Sequence, residues 1–453
     1  MLFSKSKVYM NYMKTVILIH PKISFKDNYP CCWIPFSILS IGSSVINNHF
    51  EVCLYDENCI DKEDIINDFS DKEVILAGIS IMTGGSQIKN GLEIARRIRD
   101  KHPEARIVFG GPHANVLPEQ TIINQLIDYV ICGMGQNTFA ELVKLLANGR
   151  PFEDIPGLYY KKNGNIVRPT VHRANVSHLL PYNFSLIDTE AYIKYDATIS
   201  DRTLNYIASQ GCPYGCRFCY ECCYDRKYYS MRSEFVCNDI ALYAEKFHVN
   251  GIKFYDADFF INKEMYIITL NKLKEYNLKW AASIHPNDIL RHQNGASNSL
   301  LRQISKSQCK RLLMGMESGS NRILSEVIHK NTKAEDYIVL AKTIADHGIL
   351  GSYTFMIGFP GETQEEYNET FELVQRLWEL NIPLETKIHI YLPYPGTPLY
   401  SQAVSLGYVP PSDLEGWSDH DYYKSMTPWT DSSLEKKLQD FTRMIDKNER
   451  RNS

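Results

Sequence analysis

Two blocks of strand-length apolar runs, each alternating with helical patterns, restrict this 453-residue chain to an α/β architecture before any motif is read. In the first block the apolar runs fall at residues 16–20, 50–55, 74–81, 106–109 and 129–132, with the clearest helical patterns at 88–100 and 137–147. In the second they fall at 204–208, 251–255, 279–284, 311–316, 351–357 and 387–391, giving six strand–helix units. Parallel strands need a crossover between them, usually a helix, so this alternation predicts parallel sheets. The first block reads as a doubly wound, Rossmann-like sheet, whose ligands bind at the carboxyl ends of the strands.

Composition excludes several function classes. A hydrophobic content of 44% supports ordinary globular cores, and the net charge of -4 without a long basic block predicts no nucleic-acid or anionic-membrane footprint. No apolar run approaches the roughly 20 residues that cross a bilayer. Residues 1–14 read as a loose leader, with Met13 as an alternative start, and not as a signal peptide. Twelve cysteines in such a chain read as metal ligands plus buried thiols, which places the protein in the cytoplasm.

Three of those cysteines concentrate the chemistry. Gly211-Cys-Pro-Tyr-Gly-Cys-Arg-Phe-Cys-Tyr220 sets Cys212, Cys216 and Cys219 at C-x3-C-x2-C spacing on one short stretch. Three thiolates on one loop can hold a [4Fe-4S] cube while leaving one iron without a protein ligand. Cys222 and Cys223 follow closely, so a four-cysteine electron-transfer cluster and a structural zinc site remain alternatives on spacing alone.

The spacing, with the aromatic Phe218 just before the last cysteine, resembles the signature of radical S-adenosylmethionine (SAM) enzymes. The resemblance implies that the amino and carboxylate groups of SAM chelate the open iron. An electron passed from the cluster then cleaves SAM to methionine and a 5'-deoxyadenosyl radical. It also implies a partial (β/α)6 barrel of TIM type over the second block, with chemistry at the carboxyl ends of the strands. The informative motifs stand at such ends: Tyr255-Asp-Ala-Asp-Phe259, Gly315-Met-Glu-Ser-Gly-Ser320, Met356-Ile-Gly-Phe-Pro-Gly-Glu362 and Tyr391-Leu-Pro-Tyr-Pro-Gly-Thr-Pro398.

By that resemblance Asp256 and Asp258 meet the amino end of SAM, or are solvated carboxylates. Glu317 takes the ribose hydroxyls with Ser318 beside it, Gly358 offers backbone to the adenine or ribose, and Tyr391 lies against the adenine. Phe218 and Tyr220 flank the cofactor, and His285 is either a contact or a structural residue. Ser320 reads as a helix N-cap, and Thr363 with Glu366 as a capping box.

Three loops of the first block gather small and polar residues at strand ends: Thr83-Gly84-Gly85-Ser86, Gly110-Gly111-Pro112-His113 and Gly133-Met134-Gly135-Gln136. Beside the second block, these resemble the cobalamin-binding domain that precedes many radical SAM cores. Thr83, Gly84, Gly110, Gly111, Gly133, Gly135 and Gln136 then become cobalamin contacts. Two departures stand out: there is no D-x-H-x-x-G motif to supply a histidine to cobalt, and Gln136 replaces the usual Glu. His113, beside a proline in a turn, reads as a satisfied loop residue.

The expected domains are 14–150 for cobalamin binding, 151–200 as a linker with a hairpin at 157–168, 201–405 as the radical SAM core, and 406–453 as a C-terminal cap over the barrel mouth. The resemblance implies a [4Fe-4S] cluster, SAM and cobalamin, a small-molecule substrate, and an external electron donor of flavodoxin or ferredoxin type, with neither nucleic acid nor membrane as partner. C-methylation of an unactivated carbon is the leading activity. Ring formation or rearrangement without methyl transfer, and a non-catalytic corrinoid sensor or carrier, are the rivals.

Overall fold

The computed structural model describes residues 14–24, 33–45, 50–151, 154–173, 178–224, 226–290, 297–420, 427–430 and 432–452. The expected leader, and Cys31 and Cys32, lie outside them. The chain forms two compact units: residues 1–175 with 182–188 and 413–418, and residues 176–181 with 189–412 and 419–453.

The first unit is built on a seven-stranded sheet in the order β2-β1-β3-β4-β5-β6-β7. Its strands are β1 (Thr15–His20), β2 (Glu51–Asp56), β3 (Val74–Ser80), β4 (Arg106–Gly110), β5 (Tyr129–Ile131), β6 (Leu158–Lys162) and β7 (Asn165–Val167). β1 to β5 are parallel, as the alternation predicts, with Leu18 opposite both Leu54 and Gly78. Val16, Ile17, Leu18 and Ile19 are all buried, the mark of a strand covered on both faces. The covering helix Ser86–Lys101 buries Ile88, Leu92, Ala95 and Ile98, a stripe at helical spacing.

The hairpin expected in a linker belongs instead to this sheet. β6 pairs antiparallel with β5, placing Tyr159 opposite Val130, and β7 pairs with β6 around the turn at Asn163 and Gly164. Leu158 is buried in the first unit's core and Tyr160 packs against it, which is why the ribbon docks there.

The second unit holds a seven-stranded sheet ordered β16-β15-β14-β13-β12-β9-β8. Its strands are β8 (Lys194–Asp196), β9 (Ser200–Tyr206), β12 (Gly251–Phe254), β13 (Lys279–Ser283), β14 (Cys309–Glu317), β15 (Leu350–Ile357) and β16 (Leu384–Ile390); a separate ribbon pairs β10 (Ser209–Gly211) with β11 (Tyr228–Ser230). The six expected units are present and parallel, with β8 added antiparallel at one edge.

This sheet is curled. Arg311 on β14 reaches Asp196 on one edge strand at 3.2 Å and Glu385 on the other at 3.8 Å. Laid flat at the usual spacing of about 4.8 Å, strands six steps apart would stand roughly 29 Å from each other. The outer face is dry: Ile252, Phe254, Trp280, Leu312, Met314, Phe355 and Ile357 are all buried. On the inner face Leu313 and Tyr255 are each 39% exposed.

The C-terminal stretch divides between the units, unlike the single cap expected. Residues 413–418 count with the first unit, whereas Trp429 donates to the Gly358 carbonyl at 3.0 Å and Leu434 packs on Ile357 and Phe371 in the second. Among the described residues no helix is long and apolar enough to cross a membrane.

Candidate active site

The three cysteines of the motif lie on a lobe whose ends are tied together. β10 and β11 pair antiparallel with Gly211 opposite Tyr228, which closes residues 212–227 into a loop just beyond β9. Gly211 permits this with φ 86°; a Cβ there would stand 2.0 Å from the Lys227 carbonyl oxygen. Within the loop, the Cys219 amide donates to the Cys216 carbonyl and the Cys222 amide to the Cys219 carbonyl, each at 3.1 Å. The Arg217 amide donates to Ile328 at 3.0 Å and its carbonyl accepts from Leu399 at 3.2 Å, anchoring the lobe to segments that follow β14 and β16.

Cys216 is buried, and Cys212 and Cys219 are half-buried. Burial pushes the Cys212 thiol up to about 12 and raises those of Cys216 and Cys219, with Lys330 opposing the rise at Cys216. Such thiols stay protonated until a metal displaces the proton. Among the described residues no three Cys, His, Asp or Glu side chains close on one point as a single ion requires. A cubane presents its irons at separate corners, so three thiolates serve it without meeting. Cys222 and Cys223 engage each other, and Cys223 Sγ also lies 3.8 Å from the Pro395 carbonyl. The donor set therefore fits a cube held at three irons.

The acidic pair after β12 is buried and already accepts hydrogen bonds from neighbouring segments. Asp256 accepts from the Ala208 amide at 3.2 Å and from Ser209 Oγ, and burial pushes its carboxyl up to about 6. Asp258 accepts from the amides of Phe260 at 3.0 Å and His285 at 3.3 Å. Burial, with Asp288 beside it, raises its carboxyl well above the usual range, because two neighbouring carboxylates cannot both ionise cheaply. Asp288 also accepts from the Tyr214 hydroxyl, and Tyr214 stacks on His285 with centroids 3.7 Å apart. His285 is thus a structural prop under the cysteine lobe.

Glu317 ends β14 with φ 70°, a left-handed conformation that costs a side-chain-bearing residue about 1–3 kcal/mol and that clusters at functional sites. Its carboxylate meets Lys330 Nζ at 3.3 Å, with both residues buried. Burial lifts the Glu317 carboxyl while Lys330 pulls it back, and the same carboxylate holds the Lys330 ammonium above its ordinary range. Gly315 makes room, since a Cβ there would stand 2.0 Å from Glu317 Oε1. Lys330 escaped the sequence reading, because nothing in its neighbourhood marks it out from a surface lysine.

Two further expected contacts are engaged elsewhere. Ser318 is fully buried; its Oγ accepts from the Ser320 amide at 3.1 Å and faces Thr370 Oγ1 at 3.3 Å. Gly358 donates its amide to Glu362 and its carbonyl accepts from Trp429, which leaves one lone pair of that carbonyl for a further donor. The capping box of Thr363 and Glu366 is present, and the Ser320 hydroxyl accepts from the Ile323 amide at 3.5 Å, the cap expected of it. Phe218, Phe359 and Tyr391 line up, with centroids 6.0 and 5.3 Å apart, and the buried Tyr391 hydroxyl has no hydrogen-bond partner. Tyr220 opens the 3-10 turn Tyr220–Tyr224, half-buried.

In the first unit the glycine loops stand at the carboxyl ends of β3, β4 and β5 as expected. Gly84, Gly111, Gly133 and Gly135 have φ of 82°, 91°, 92° and 65°. Gly111 also sits where a Cβ would meet the Ile81 carbonyl at 2.6 Å. Thr83 and Gln136 are buried, and Gln136 Oε1 has no partner among the described residues. A Cβ at Gly110 would make only an ordinary van der Waals contact, 3.9 Å from the Ile131 carbonyl oxygen. An unpartnered buried acceptor at a strand-end loop fits a ligand rich in amide donors, as a corrin ring is with its amide side chains.

His113 is fully buried with Trp417 edge-on at 5.6 Å, a structural role. Trp417 donates to Gln120 Oε1 at 2.7 Å and accepts from the Gly85 amide at 2.9 Å. A pocket of about 460 Å³ lined by Arg106, Tyr129, Tyr160 and Lys162 lies at the other end of the sheet, by the amino ends of β4 and β5, away from these loops.

Comparison with known proteins agrees with this division. A model of the radical SAM superfamily matches residues 206–374, and one of the B12 binding domain matches 26–143. An uncharacterized methyltransferase of Pyrococcus horikoshii is 29% identical over 338 residues, 73% of this chain and 69% of that protein. Anaerobic magnesium-protoporphyrin IX monomethyl ester cyclase of Rubrivivax gelatinosus is 21% identical over 403 residues, 85% of this chain and 69% of that protein. Among solved structures, the cobalamin-dependent S-adenosylmethionine radical enzyme OxsB superposes with a TM-score of 0.73 at 18% identity, covering 96% of this chain and 66% of that one. The radical S-adenosylmethionine methyltransferase TsrM of Kitasatospora setae gives 0.66 at 19% identity, covering 87% and 77%. At these identities the structural likeness establishes the fold.

Proposed function

We propose, from the premise that the chain is a radical SAM protein with an N-terminal B12 binding domain, that it is a cobalamin-dependent methyltransferase acting on an unactivated carbon of a small-molecule substrate. The observation that carries the reading is the three-thiol lobe at the carboxyl end of a curled parallel sheet, in one chain with strand-end glycine loops suited to a corrinoid. A [4Fe-4S] cluster would supply the electron that cleaves SAM, and a corrinoid would supply a transferable methyl group.

The chain's own part is binding, orientation and exclusion of water. Cys212, Cys216 and Cys219 hold the cluster. Glu317, kept beside Lys330, accepts from the ribose hydroxyls of SAM, and the wall of Phe218, Phe359 and Tyr391 lies against its adenine. Tyr220 flanks the cluster. Thr83, Gly84, Gly110, Gly111, Gly133, Gly135 and Gln136 receive the corrinoid. A flavodoxin- or ferredoxin-type donor in the cytoplasm delivers the electron.

The test is anaerobic. The protein is reconstituted with iron and sulfide, given hydroxocobalamin, SAM and a strong reductant, and its products followed by mass spectrometry. Deoxyadenosine with a retained corrinoid spectrum supports the reading, and S-adenosylhomocysteine in addition marks methyl transfer. Absence of both deoxyadenosine and corrinoid retention rejects it.

Similarity to a ring-forming cyclase over 403 residues favours one rival, radical chemistry without methyl transfer. That rival predicts deoxyadenosine and retained corrinoid without S-adenosylhomocysteine.

A further inference from the structure

The inner face of the curled sheet carries ionic groups that the chemistry above does not use. Arg311 on β14 pairs there with Asp196 on β8 and with Glu385 on β16, and Lys253 on β12 feels all three of these charges together with that of Lys387 on β16. Their neighbours Ile252, Phe254, Leu312 and Met314 point the other way into the dry outer layer. Arg311 is flanked by both carboxylates, yet the set holds three cations, Lys253, Arg311 and Lys387, against two anions, Asp196 and Glu385. Burial pulls the Lys253 ammonium down to about 8; Arg311 and Lys387 act in the same direction, and Asp196 and Glu385 oppose them. His389, above Lys387 on β16, is lowered by burial and by Lys387. A floor short of negative charge is suited to an anion brought by a ligand.

Above that floor the same face turns apolar and open. Leu313 and Tyr255 are each 39% exposed on interior positions of the sheet, and Met356 is half-buried. Six residues separate Arg311 from Glu317, about 20 Å along an extended strand. That length accommodates SAM near the cysteine lobe and a second molecule beneath it.

We infer that this inner face receives a substrate with an apolar body and an anionic group, a carboxylate or a phosphate, the anion seated at Lys253 and Lys387 and the body lying along Leu313, Tyr255 and Met356. The inference rests on the radical reading for its orientation: the reacting carbon lies at the end of the substrate away from the anion.

The experiment uses the full-length protein with its cluster reconstituted, and the fluorescent apolar anion 8-anilinonaphthalene-1-sulfonate as probe. Saturable binding is expected, displaced by decanoate or decyl phosphate and not by decanol. The more effective competitor identifies the anion. In Lys253→Gln/Lys387→Gln the affinity falls about tenfold or more. Lys387→Gln alone, on an exposed edge-strand residue, weakens binding without threatening the fold, and Lys387→Arg restores it. In the wild type the affinity declines as pH rises through about 8, where Lys253 gives up its proton.

Equal affinity in the double variant, or equal displacement by decanol, overturns the anion site. Deoxyadenosine formation, measured in the same wild-type preparation, tests the radical reading separately. Selective probe binding stands without deoxyadenosine, and deoxyadenosine without probe selectivity removes only the anion site.

Discussion

Asp196 and Glu385 stand on opposite edge strands of the second sheet, yet both close on the guanidinium of Arg311, at 3.2 and 3.8 Å. One side chain thereby reports how far the sheet has rolled. It also closes the roll with charge, where a continuous hydrogen-bond ladder would close a complete barrel.

Replacing Arg311 by Met leaves two partly buried carboxylates without their cation. Removing one partner of a buried ion pair costs about 3 kcal/mol or more. The thermal midpoint of Arg311→Met should fall by several degrees, and adding Asp196→Asn should recover part of the loss. A midpoint unmoved by Arg311→Met would show that the curl is held by the outer apolar layer alone.

Single Cys→Ala changes at 212, 216 and 219 should each abolish retention of the cluster, with deoxyadenosine formation falling at least about 100-fold, since even residues that only support a metal ligand cost 10- to 100-fold. Cys222→Ala and Cys223→Ala should keep iron and activity, because those thiols engage each other and the Pro395 carbonyl. Iron analysis and the visible spectrum read the outcome. Loss of iron in Cys222→Ala would return the four-cysteine alternative.

Trp417→Phe removes the hydrogen bond to Gln120 Oε1 and should destabilise the first unit by about 0.5–1.5 kcal/mol, the net worth of one such bond. Trp417→Ala should cost about 3–5 kcal/mol. Hydrogen exchange at the amide of Gly85, which donates to the Trp417 carbonyl, gives a local readout. Unchanged protection there in Trp417→Ala would contradict the assignment.

Asp239 gives a pH-dependent contribution of definite sign. Burial pushes its carboxyl up to about 7, although the Tyr206 hydroxyl, donating at 2.6 Å, pulls it back. The folded state therefore binds a proton that the unfolded chain has released, and stability falls as pH rises from about 4 through about 7. Asp239→Asn should remove that slope and be the more stable protein above pH 7. Parallel denaturation curves of the two proteins at pH 5 and pH 8 check this, and equal slopes would discard it.

The parallel strands were legible because buried parallel strands must be apolar throughout and separated by helices; each of the eleven expected strands overlaps an observed one, and all but 204–208, which β9 (Ser200–Tyr206) begins four residues earlier, lie within three residues of it at either end. The cysteine lobe was legible because its spacing is local. A motif marks a place but not how its atoms are engaged. Ser318, Asp256, Asp258 and Gly358 stand at strand ends as expected, yet their oxygens or backbone groups hold neighbouring segments together. The hairpin at β6 and β7 was taken for a linker because its alternation says strand without saying which sheet.

Arg311 and Trp417 were invisible for another reason. The first acts only once the sheet has curled, and the second meets a partner 297 positions away in sequence. Neither relation has a local signature.

That separation bears on how the protein is made. The first unit contributes nearly all of its residues in one stretch, but the indole that closes its loops at Gly85, His113 and Gln120 follows the last of these by 297 positions. During synthesis at about 5–20 residues per second the first unit therefore waits on the order of tens of seconds with that cleft unfilled, while the second emerges. Contacts of such long range also slow folding in free solution. Nascent chains halted before residue 413 should thus lack that closure at the loops after β3 and β4, an interval in which a bulky ligand can enter before Trp417 is laid over them.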